Sequence, residues 1–467
     1  MFDFDNTFII SIVKSKYSYH KANYRNIKRY INLITCKFCF LIYIIIIIFL
    51  FQIFKIDSIS NNEKNSENNI KVAFYCISFK YGGVERVTSI LLNYLSKEKK
   101  FNLILITKKE IQEEEYTIPN NIKRISLSDK KINLIYAVKK ENIDILIYNI
   151  YKKKEMYKLN RLKKTKVIYY NHSSYFLWIF KHIYNFDNSI YKIYKNCKYI
   201  LSLIPLENDY LFKKWGINSI FINNPSTYEY DSIIPSNLLN NNIIMIGRGD
   251  DKSKRFTFGI RAMKFIIKEI LDSKMNILSN NDKILDELIQ SLELKNFVSI
   301  VGYQKNPEHY LRNSSLHIFP SICDTYPMVL SETKIFGIPT ILCGLDYLAL
   351  AKKGTIIIHD NDPYILAKES IKILKDKNYR KKLGFKARQS MQKIKNKFII
   401  KKWIKLLLAI YNDNYNSSMF KNFEDNHIQI TEKQANIILN YQLKLFQKID
   451  DNLKDLTLEK LKSYSLK

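Results

Sequence analysis

From Lys71 onward, short apolar runs alternate with amphipathic stretches of helical period. The stretch VERVTSILLNYLSK, for example, repeats its apolar residues at spacings of three and four, which indicates a helix with one buried face. The short runs are rich in Ile, Val and Tyr, as is typical of strands that are buried on both sides. Strand and helix in alternation predict parallel sheets that are covered by helices on both faces.

The apolar runs fall into two sets. The first set is KVAFYCI, FNLILIT, IDILIYN, KVIYYN, KYILSLI and SIFINNP, and the second is NIIMIG, MNILS, FVSIVG, LHIFPS, PTILC and TIIIH. They predict one Rossmann-like domain over residues 71–225, a linker over 226–242 and a second Rossmann-like domain over 243–398. Ligands of such sheets bind beyond the carboxyl ends of the strands, so the site is expected in the cleft between the domains. Residues 399–467 are expected to be amphipathic helices that pack on the domains or on a membrane surface.

An apolar run without charge, Phe38 to Phe54, precedes the two domains. As a helix it would reach about 25 Å, the short end of what spans a bilayer core. The sequence thus predicts a basic tail over residues 1–37, a transmembrane or membrane-anchor helix over 38–55 and a polar linker over 56–70. A buried core helix and a signal peptide are the alternatives, although the preceding basic stretch is long for a signal peptide.

The chain is strongly basic, with 75 Lys and Arg against 44 Asp and Glu and a net charge of +31. Such an excess favours anionic partners such as phosphorylated substrates or anionic lipid, and a coding bias toward Lys is the alternative explanation. Zinc-finger and aromatic RNA-binding signatures are absent from the sequence, so nucleic acid is not expected as a partner. The six cysteines are scattered, which argues against a disulfide framework.

Two loops that follow predicted strands have the residues of an anion site. Gly82 and Gly83 come after KVAFYCI and open a helix, where paired glycines allow close approach and free N–H groups attract an anion. Arg248, Lys254 and Arg255 come after NIIMIG, and such cations suit a diphosphate. Taken alone, either loop could equally be an ordinary turn or a solvated basic loop.

A third motif lies between LHIFPS and PTILC and contains two acids, Asp324 and Glu332, eight positions apart. A helix that begins near Pro327 or Met328 places Glu332 about one turn inside and facing back toward the loop. The two carboxylates would then flank a helix N-terminus that receives a phosphate. The alternative is a helix whose two acids face solvent. Gly337 and Pro339 are expected to end this helix and to start the next strand.

In this order, the three motifs resemble the retaining glycosyltransferases of family 4, also called glycosyl transferases group 1, which have the GT-B fold of two facing Rossmann-like domains. The resemblance extends from about Lys71 to Tyr411. It implies that Arg248 and Lys254 hold the donor diphosphate, that Glu332 binds the nucleotide ribose and that Asp324 faces the transferred sugar. The implied donor-binding residues are Gly82, Gly83, Arg248, Lys254, Tyr326, Pro327, Met328, Val329 and Glu332.

Members of this family also have a histidine near the sugar, which His172 matches because it follows the strand KVIYYN. The implied catalytic residues are His172, Arg248, Lys254 and Asp324. Two departures stand out, since the first acid is Asp324 rather than the usual Glu and Arg255 replaces a usual Gly. The first departure bears on which sugar is transferred.

The resemblance implies sugar transfer with retention from a UDP- or GDP-sugar to a glycan or lipid-linked acceptor, in the synthesis of a cell-envelope polysaccharide or glycolipid. The departing diphosphate would help to deprotonate the acceptor hydroxyl. No cofactor and no metal are expected, because an Asp-x-Asp signature is absent from any suitable strand end. A non-catalytic relative that binds a nucleotide sugar or acts as a scaffold is the main alternative, and a membrane-bound nucleic-acid-binding protein is a third.

The sequence does not determine on which side of the membrane the catalytic domains lie. Basic residues are more frequent before the apolar run than after it, which by the positive-inside rule puts the N-terminus in the cytoplasm and the domains across the membrane. A bacterial enzyme with a cytoplasmic sugar-nucleotide donor would need the opposite arrangement. Donor supply favours the cytoplasmic face for the catalytic domains.

Overall fold

The computed structural model describes residues 69–80, 82–128, 133–173, 189–248, 254–280, 283–321, 324–345, 348–416 and 419–420. All of them belong to one compact unit, Asn69–Lys467. The predicted tail, the predicted membrane-anchor helix and nearly all of the linker that follows it lie outside the described residues. Within those ranges, no helix is long and apolar enough to cross a membrane.

The first domain contains a seven-stranded parallel sheet in the order β3-β2-β1-β4-β5-β6-β7. Its strands are β1 (Ile70–Cys76), β2 (Phe101–Thr107), β3 (Lys123–Ser126), β4 (Ile145–Tyr148), β5 (Lys166–Asn171), β6 (Tyr199–Ser202) and β7 (Ile220–Phe221). Its helices are α1 (Gly83–Leu95), α2 (Leu134–Lys140), α3 (Lys153–Leu159), α4 (Ser189–Lys195) and α5 (Pro205–Trp215). All six predicted strands are confirmed. The seventh, β3, was missed because three of the four residues in its sequence KRIS are polar and the strand lies at the sheet edge.

The second domain contains a six-stranded parallel sheet in the order β10-β9-β8-β11-β12-β13. Its strands are β8 (Asn242–Ile246), β9 (Lys274–Leu278), β10 (Val298–Ile300), β11 (Leu316–Phe319), β12 (Thr340–Cys343) and β13 (Thr355–Ile358). Its helices are α6 (Phe256–Glu269), α7 (Lys283–Ser291), α8 (Glu308–Arg312), α9 (Met328–Ile335), α10 (Pro363–Lys375) and α11 (Lys377–Ser390). The two-domain α/β prediction is confirmed, and so are all six strands of this domain.

Both sheets reverse their strand order at one place, between β1 and β4 in the first domain and between β8 and β11 in the second. A crevice forms at the carboxyl ends of the strands at such a switch point. The glycine loop follows β1, and the loop with Arg248 and Lys254 follows β8. Asp324 follows β11, so the strand order itself carries the predicted site residues to these two crevices.

The last described helix, α12 (Asn396–Tyr411), packs on the first domain although it follows the second in sequence. The ring of its fully buried Trp403 lies 5.3 Å from the ring of Tyr170 on β5. Lys166 Nζ donates hydrogen bonds of 2.8 Å to the carbonyl oxygens of Ile410 and Tyr411 at the helix end. Of the predicted C-terminal helices, α12 therefore packs on a domain, whereas residues beyond 420 lie outside the described ranges.

Helix α9 ends where the sequence predicts, at a left-handed Gly337 with φ of 70°. Its C-terminal end packs directly on α11, because Gly384 of that helix lies against the backbone carbonyl of Gly337. A Cβ atom at residue 384 would be far inside van der Waals contact with the Gly337 oxygen and with the Leu238 side chain. A glycine at this position lets α11 hold α9 in place.

The contact between Gly384 and Gly337 predicts that Gly384→Ala destabilises the protein. Overpacking of this kind lowers the free energy of unfolding by about 1–3 kcal/mol. Urea denaturation of the full chain measures the effect, with Lys386→Ala, an exposed position on the same helix, as the control. The control should change the free energy of unfolding by less than about 0.5 kcal/mol. Equal stability of Gly384→Ala and the control would contradict the close packing.

Candidate functional site

The glycine loop leads directly into α1. Gly82 is the N-cap residue of this helix, and no side chain among the described residues caps it. An added Cβ at Gly83 would meet no atom within 4 Å, so this position faces open space. The Glu85 side chain folds back over Gly82, and its burial raises the pKa of the Glu85 carboxyl. The positive charge of Arg248 in the second domain partly counters that rise in the pKa of Glu85.

Lys254 forms an ion pair with Asp324, with Nζ 2.8 Å from Oδ2. The Lys254 ammonium also lies 5.3 Å from the centre of the Phe319 ring. Both side chains of the pair keep some exposure, 17 % for Lys254 and 19 % for Asp324. Arg248 is exposed at the end of β8. The two residues are 70 positions apart, and the resemblance implied that both lie at the donor site, but their direct ion pair was not predicted.

Arg255 does not join these cations. It is buried, it donates a hydrogen bond to the Asn361 side chain, and its guanidinium lies 4.3 Å from the centre of the Phe258 ring. Its backbone is left-handed, with φ of 51°, a conformation that glycine adopts without strain. This explains why a glycine suits the position. Of the two or three cations that the sequence offers for a diphosphate, Arg255 is the one that contacts Asn361 and Phe258 instead of Asp324.

Helix α9 begins at Met328, as predicted, with Pro327 as its N-cap residue. Its Glu332 is completely buried. Glu332 Oε1 accepts hydrogen bonds from Arg86 Nη1 at 2.7 Å and from Thr227 Oγ1 at 2.6 Å. Tyr326, Pro327 and Met328 are also buried in the same segment, and Val329 is partly exposed.

The two acids of the third motif have separate partners. Asp324 pairs with Lys254 in its own domain, and Glu332 pairs with Arg86 of the first domain. The alternative in which both acids face solvent is therefore wrong. Their individual roles in binding the sugar and the ribose stay predictions.

His172 follows directly after β5, and a chain of hydrogen bonds fixes which ring nitrogen carries its proton. Thr88 Oγ1 donates to the Val84 carbonyl, so it can only accept from Asn149 Nδ2, which lies at 3.3 Å. Asn149 therefore presents Oδ1 to His172 Nε2 at 3.1 Å, and this ring nitrogen has to donate. The ring also packs at 4.0 Å on Tyr170, and burial lowers the pKa of His172 to about 3. His172 is accordingly a neutral side chain whose Nδ1 is a hydrogen-bond acceptor.

Three residues of this region were not singled out by the sequence, namely Arg86, Asn149 and Thr227. Arg86 lies within the glycine motif, where its position on the first turn of α1 was a usable signal. Asn149 directly follows β4 at the switch point of the first sheet, which also could have been noticed. Thr227 lies in the predicted linker, and no local pattern marks it.

Within the described ranges, no three His, Cys, Asp or Glu side chains come close enough together to bind one metal ion. The expectation of a metal-independent reaction stays a prediction. The three cysteines that the structure describes, Cys76, Cys197 and Cys343, are free and buried.

The family model and the curated relative that match this chain are both glycosyltransferases. Residues 227–390 match the family described as glycosyl transferases group 1. Over 367 residues, the chain is 22% identical to the GalNAc-alpha-(1->4)-GalNAc-alpha-(1->3)-diNAcBac-PP-undecaprenol alpha-1,4-N-acetyl-D-galactosaminyltransferase of Campylobacter jejuni. The alignment covers 73% of this chain and 99% of that protein.

Solved structures show the same fold. Sucrose-phosphate synthase from Thermosynechococcus elongatus superposes with a TM-score of 0.61 at 15% identity, over 74% of this chain and 100% of that one. Anabaena HepE, solved in complex with UDP and glucose, superposes with a TM-score of 0.58 at 13% identity, over 73% and 100%. Residues 227–390 are therefore similar to the glycosyl transferases group 1 family, the chain has the two-domain GT-B fold of these solved structures, and the comparisons support glycosyltransferase activity.

Proposed function

We propose that the chain transfers a sugar from a nucleoside diphosphate sugar to a hydroxyl acceptor with retention of anomeric configuration. The observation that carries the proposal is the ion pair of Lys254 and Asp324 at 2.8 Å, which lies beyond the carboxyl ends of β8 and β11. It puts a cation suited to a phosphate beside a carboxylate suited to sugar hydroxyls. That juxtaposition matches a donor in which a diphosphate and a sugar are joined by one bond.

Because this ion pair is partly exposed, a bound donor can replace Asp324 as the partner of Lys254. An incoming diphosphate offers Lys254 a stronger anionic partner than one carboxylate, and Arg248 adds a bidentate fork from the same loop. Asp324 is then released to accept hydrogen bonds from the hydroxyls of the transferred sugar. In this way the protein stabilises the charge that develops on the departing diphosphate.

The state of His172 supports a reaction without a protein acid or base at this position. The Nε2 proton of the neutral imidazole is already donated to Asn149, so the ring is not an acid, and the pKa of about 3 makes its free Nδ1 a weak base. In the reaction that we propose, a bond forms between the acceptor oxygen and the anomeric carbon while the bond to the diphosphate breaks. The proton of the acceptor hydroxyl passes to an oxygen of the departing diphosphate.

A lipid-linked glycan is the acceptor class that we propose, and a UDP- or GDP-sugar is the donor. The Campylobacter relative is named for an undecaprenol-linked substrate, and the apolar run from Phe38 to Phe54 would keep the chain at a membrane where such acceptors reside. We also propose that the catalytic domains face the cytoplasm, where bacterial sugar nucleotides are supplied. The product would be a cell-envelope polysaccharide or glycolipid.

Lys254→Ala should lower the turnover of the donor sugar nucleotide by about two to three orders of magnitude, because the variant loses a charge that stabilises the leaving diphosphate. Release of UDP or GDP from a panel of sugar nucleotides measures this turnover. Lys264→Ala, an exposed lysine on the helix that follows the same loop, is the matched control and should keep wild-type turnover. Full activity of Lys254→Ala would refute the assignment of the donor site, and a wild-type chain that binds but never turns over donor would favour the non-catalytic alternative.

Retention predicts the anomeric configuration of the product. With an α-linked sugar nucleotide as donor, the new glycosidic bond should also be α, because the acceptor attacks from the face that the diphosphate leaves. The one-bond carbon–hydrogen coupling at the anomeric position, measured by NMR on the isolated product, distinguishes the two outcomes. A β-linked product would exclude the proposed course of the reaction.

The lowered pKa of His172 predicts a ring that stays neutral between pH 8 and pH 5. NMR of the imidazole carbons should show no titration of His172 near the ordinary value of about 6.5. Because the pKa in the folded state lies below that in the unfolded state, burial of this ring lowers stability as the pH falls from about 6.5 toward 3. His172→Asn should reduce this loss, and a titration midpoint near 6.5 in the folded protein would contradict the burial.

A further inference from the structure

Arg86 connects the two domains at the donor side of the cleft. Its Nη1 donates to Glu332 Oε1 at 2.7 Å, and its Nε donates to the Tyr116 hydroxyl at 3.1 Å. Arg86 and Tyr116 belong to the first domain, and Glu332 lies 246 positions further along, in the second. One guanidinium therefore binds a partner on each side of the cleft. The proposed function leaves Arg86 without a role.

The carboxylate that Arg86 holds is one hydrogen bond short. Glu332 is completely buried, and its Oε1 accepts from both Arg86 and Thr227. Its Oε2 is buried as well and has no hydrogen-bond partner in the part of the chain that the structure describes. A buried oxygen without a partner is costly, so a ligand hydroxyl that donates to Oε2 would gain more than it would in water.

We propose that Arg86 is a positioning residue for the donor nucleotide. It fixes the Glu332 carboxylate so that Oε2 accepts a hydrogen bond from a ribose hydroxyl, and it ties that bond to closure of the two domains. This inference rests on the proposed function, because it takes the donor to be a nucleoside diphosphate sugar. Since Oε2 is buried in the present arrangement, the cleft opens to admit the ribose, and the bond of Arg86 to Glu332 re-forms around it.

The chemistry of arginine fits this task better than that of lysine. The planar guanidinium donates through Nη1 to Glu332 and through Nε to Tyr116 at the same time, whereas an ammonium on a flexible stem does not offer this fixed fork. The neighbouring Glu332 carboxylate raises the pKa of Arg86 further, so the positive charge is permanent. Arg86 thus supplies a fixed positive charge beside the buried Glu332 carboxylate.

A comparison of ribose recognition in four chains tests the proposal. Calorimetry would measure the affinity of UDP and GDP, and of their 2′,3′-dideoxy forms, for full-length wild type, Arg86→Met, Arg86→Lys and Arg124→Met. Arg124 is the matched control because its side chain has the same exposed fraction, 16 %, and also pairs with a carboxylate, that of Glu115, within the first domain.

In the wild type, loss of the ribose hydroxyls should weaken binding of the preferred nucleotide by about tenfold or more, the usual value of a hydrogen bond to a charged group. Arg86→Met should bind that nucleotide at least about tenfold more weakly and discriminate little between the ribo and dideoxy forms. Arg86→Lys should fall between the two, since it keeps the charge but not the fork. Arg124→Met should keep the wild-type ratio of affinities for the ribo and dideoxy forms.

Each remaining outcome overturns the proposal in a recognisable way. An unchanged ratio of affinities in folded Arg86→Met shows that Arg86 is not needed for ribose recognition. If that variant does not fold, an unchanged ratio and affinity in Arg86→Lys lead to the same conclusion. An equal loss of the ratio in Arg124→Met shows a general effect of removing a paired arginine. Failure of wild type to bind either nucleotide overturns the proposed function, and this inference with it.

Discussion

The burial of charged groups on α9 constrains this molecule more than any other interaction. Two residues of one short helix, Glu332 and Lys334, carry ionisable groups and are completely buried. Burial of a charge costs several kcal/mol unless it is paired or hydrogen-bonded, so the surroundings of α9 have to supply partners at fixed places. Lys334 Nζ donates to the carbonyl oxygens of Lys352 and Lys353 at 2.9 and 2.6 Å, and burial lowers the pKa of this group to about 7.

The partners of α9 come from all sides, and together they fix its position. Arg86 and Thr227 hold Glu332, and the loop before β13 holds Lys334. Arg388 of α11 donates to the Ile335 carbonyl at the helix end, and also to the Ile233 carbonyl at 2.9 Å. A helix with so many directional contacts has little freedom to shift, which is what a carboxylate needs if it is to recognise a hydroxyl. The fold thus supplies rigidity at the residue for which the proposed donor site requires it.

The sequence was sufficient to predict the elements that depend only on residues close together in the chain. Runs such as KVAFYCI and PTILC are strands because a strand covered on both faces has to be apolar on both. The helix that starts at Met328 and ends at Gly337 was equally readable, since a proline and a left-handed glycine mark its ends. Strand β3 was not, because an edge strand tolerates polar residues and so loses the pattern.

Pairings between residues that are far apart in the sequence are a different kind of information. The chain has 75 Lys and Arg, so charge alone could not indicate that Arg86 meets Glu332 or that Lys254 meets Asp324. Those contacts depend on the strand order of two sheets and on the fit of one domain against the other. Arg255 is a related case. Its position in the sequence groups it with the cations that are predicted to bind phosphate, but its backbone is left-handed and its guanidinium packs on the Phe258 ring.

The carboxylates of the two ion pairs differ in burial, and this difference suits the two pairs to different tasks in donor binding. The pair of Lys254 and Asp324 keeps 17 and 19 % exposure, so in the proposed reaction a diphosphate can reach Lys254 and replace Asp324 as its partner. The Arg86–Glu332 pair contains a fully buried carboxylate, and removal of one partner of a buried pair costs about 3–5 kcal/mol. A donor would therefore gain binding energy by competing for Lys254 and by adding to Glu332, whose second oxygen is still without a partner among the described residues. In the proposed function, this difference in burial assigns phosphate binding by exchange to the Lys254 pair and ribose binding by addition to Glu332.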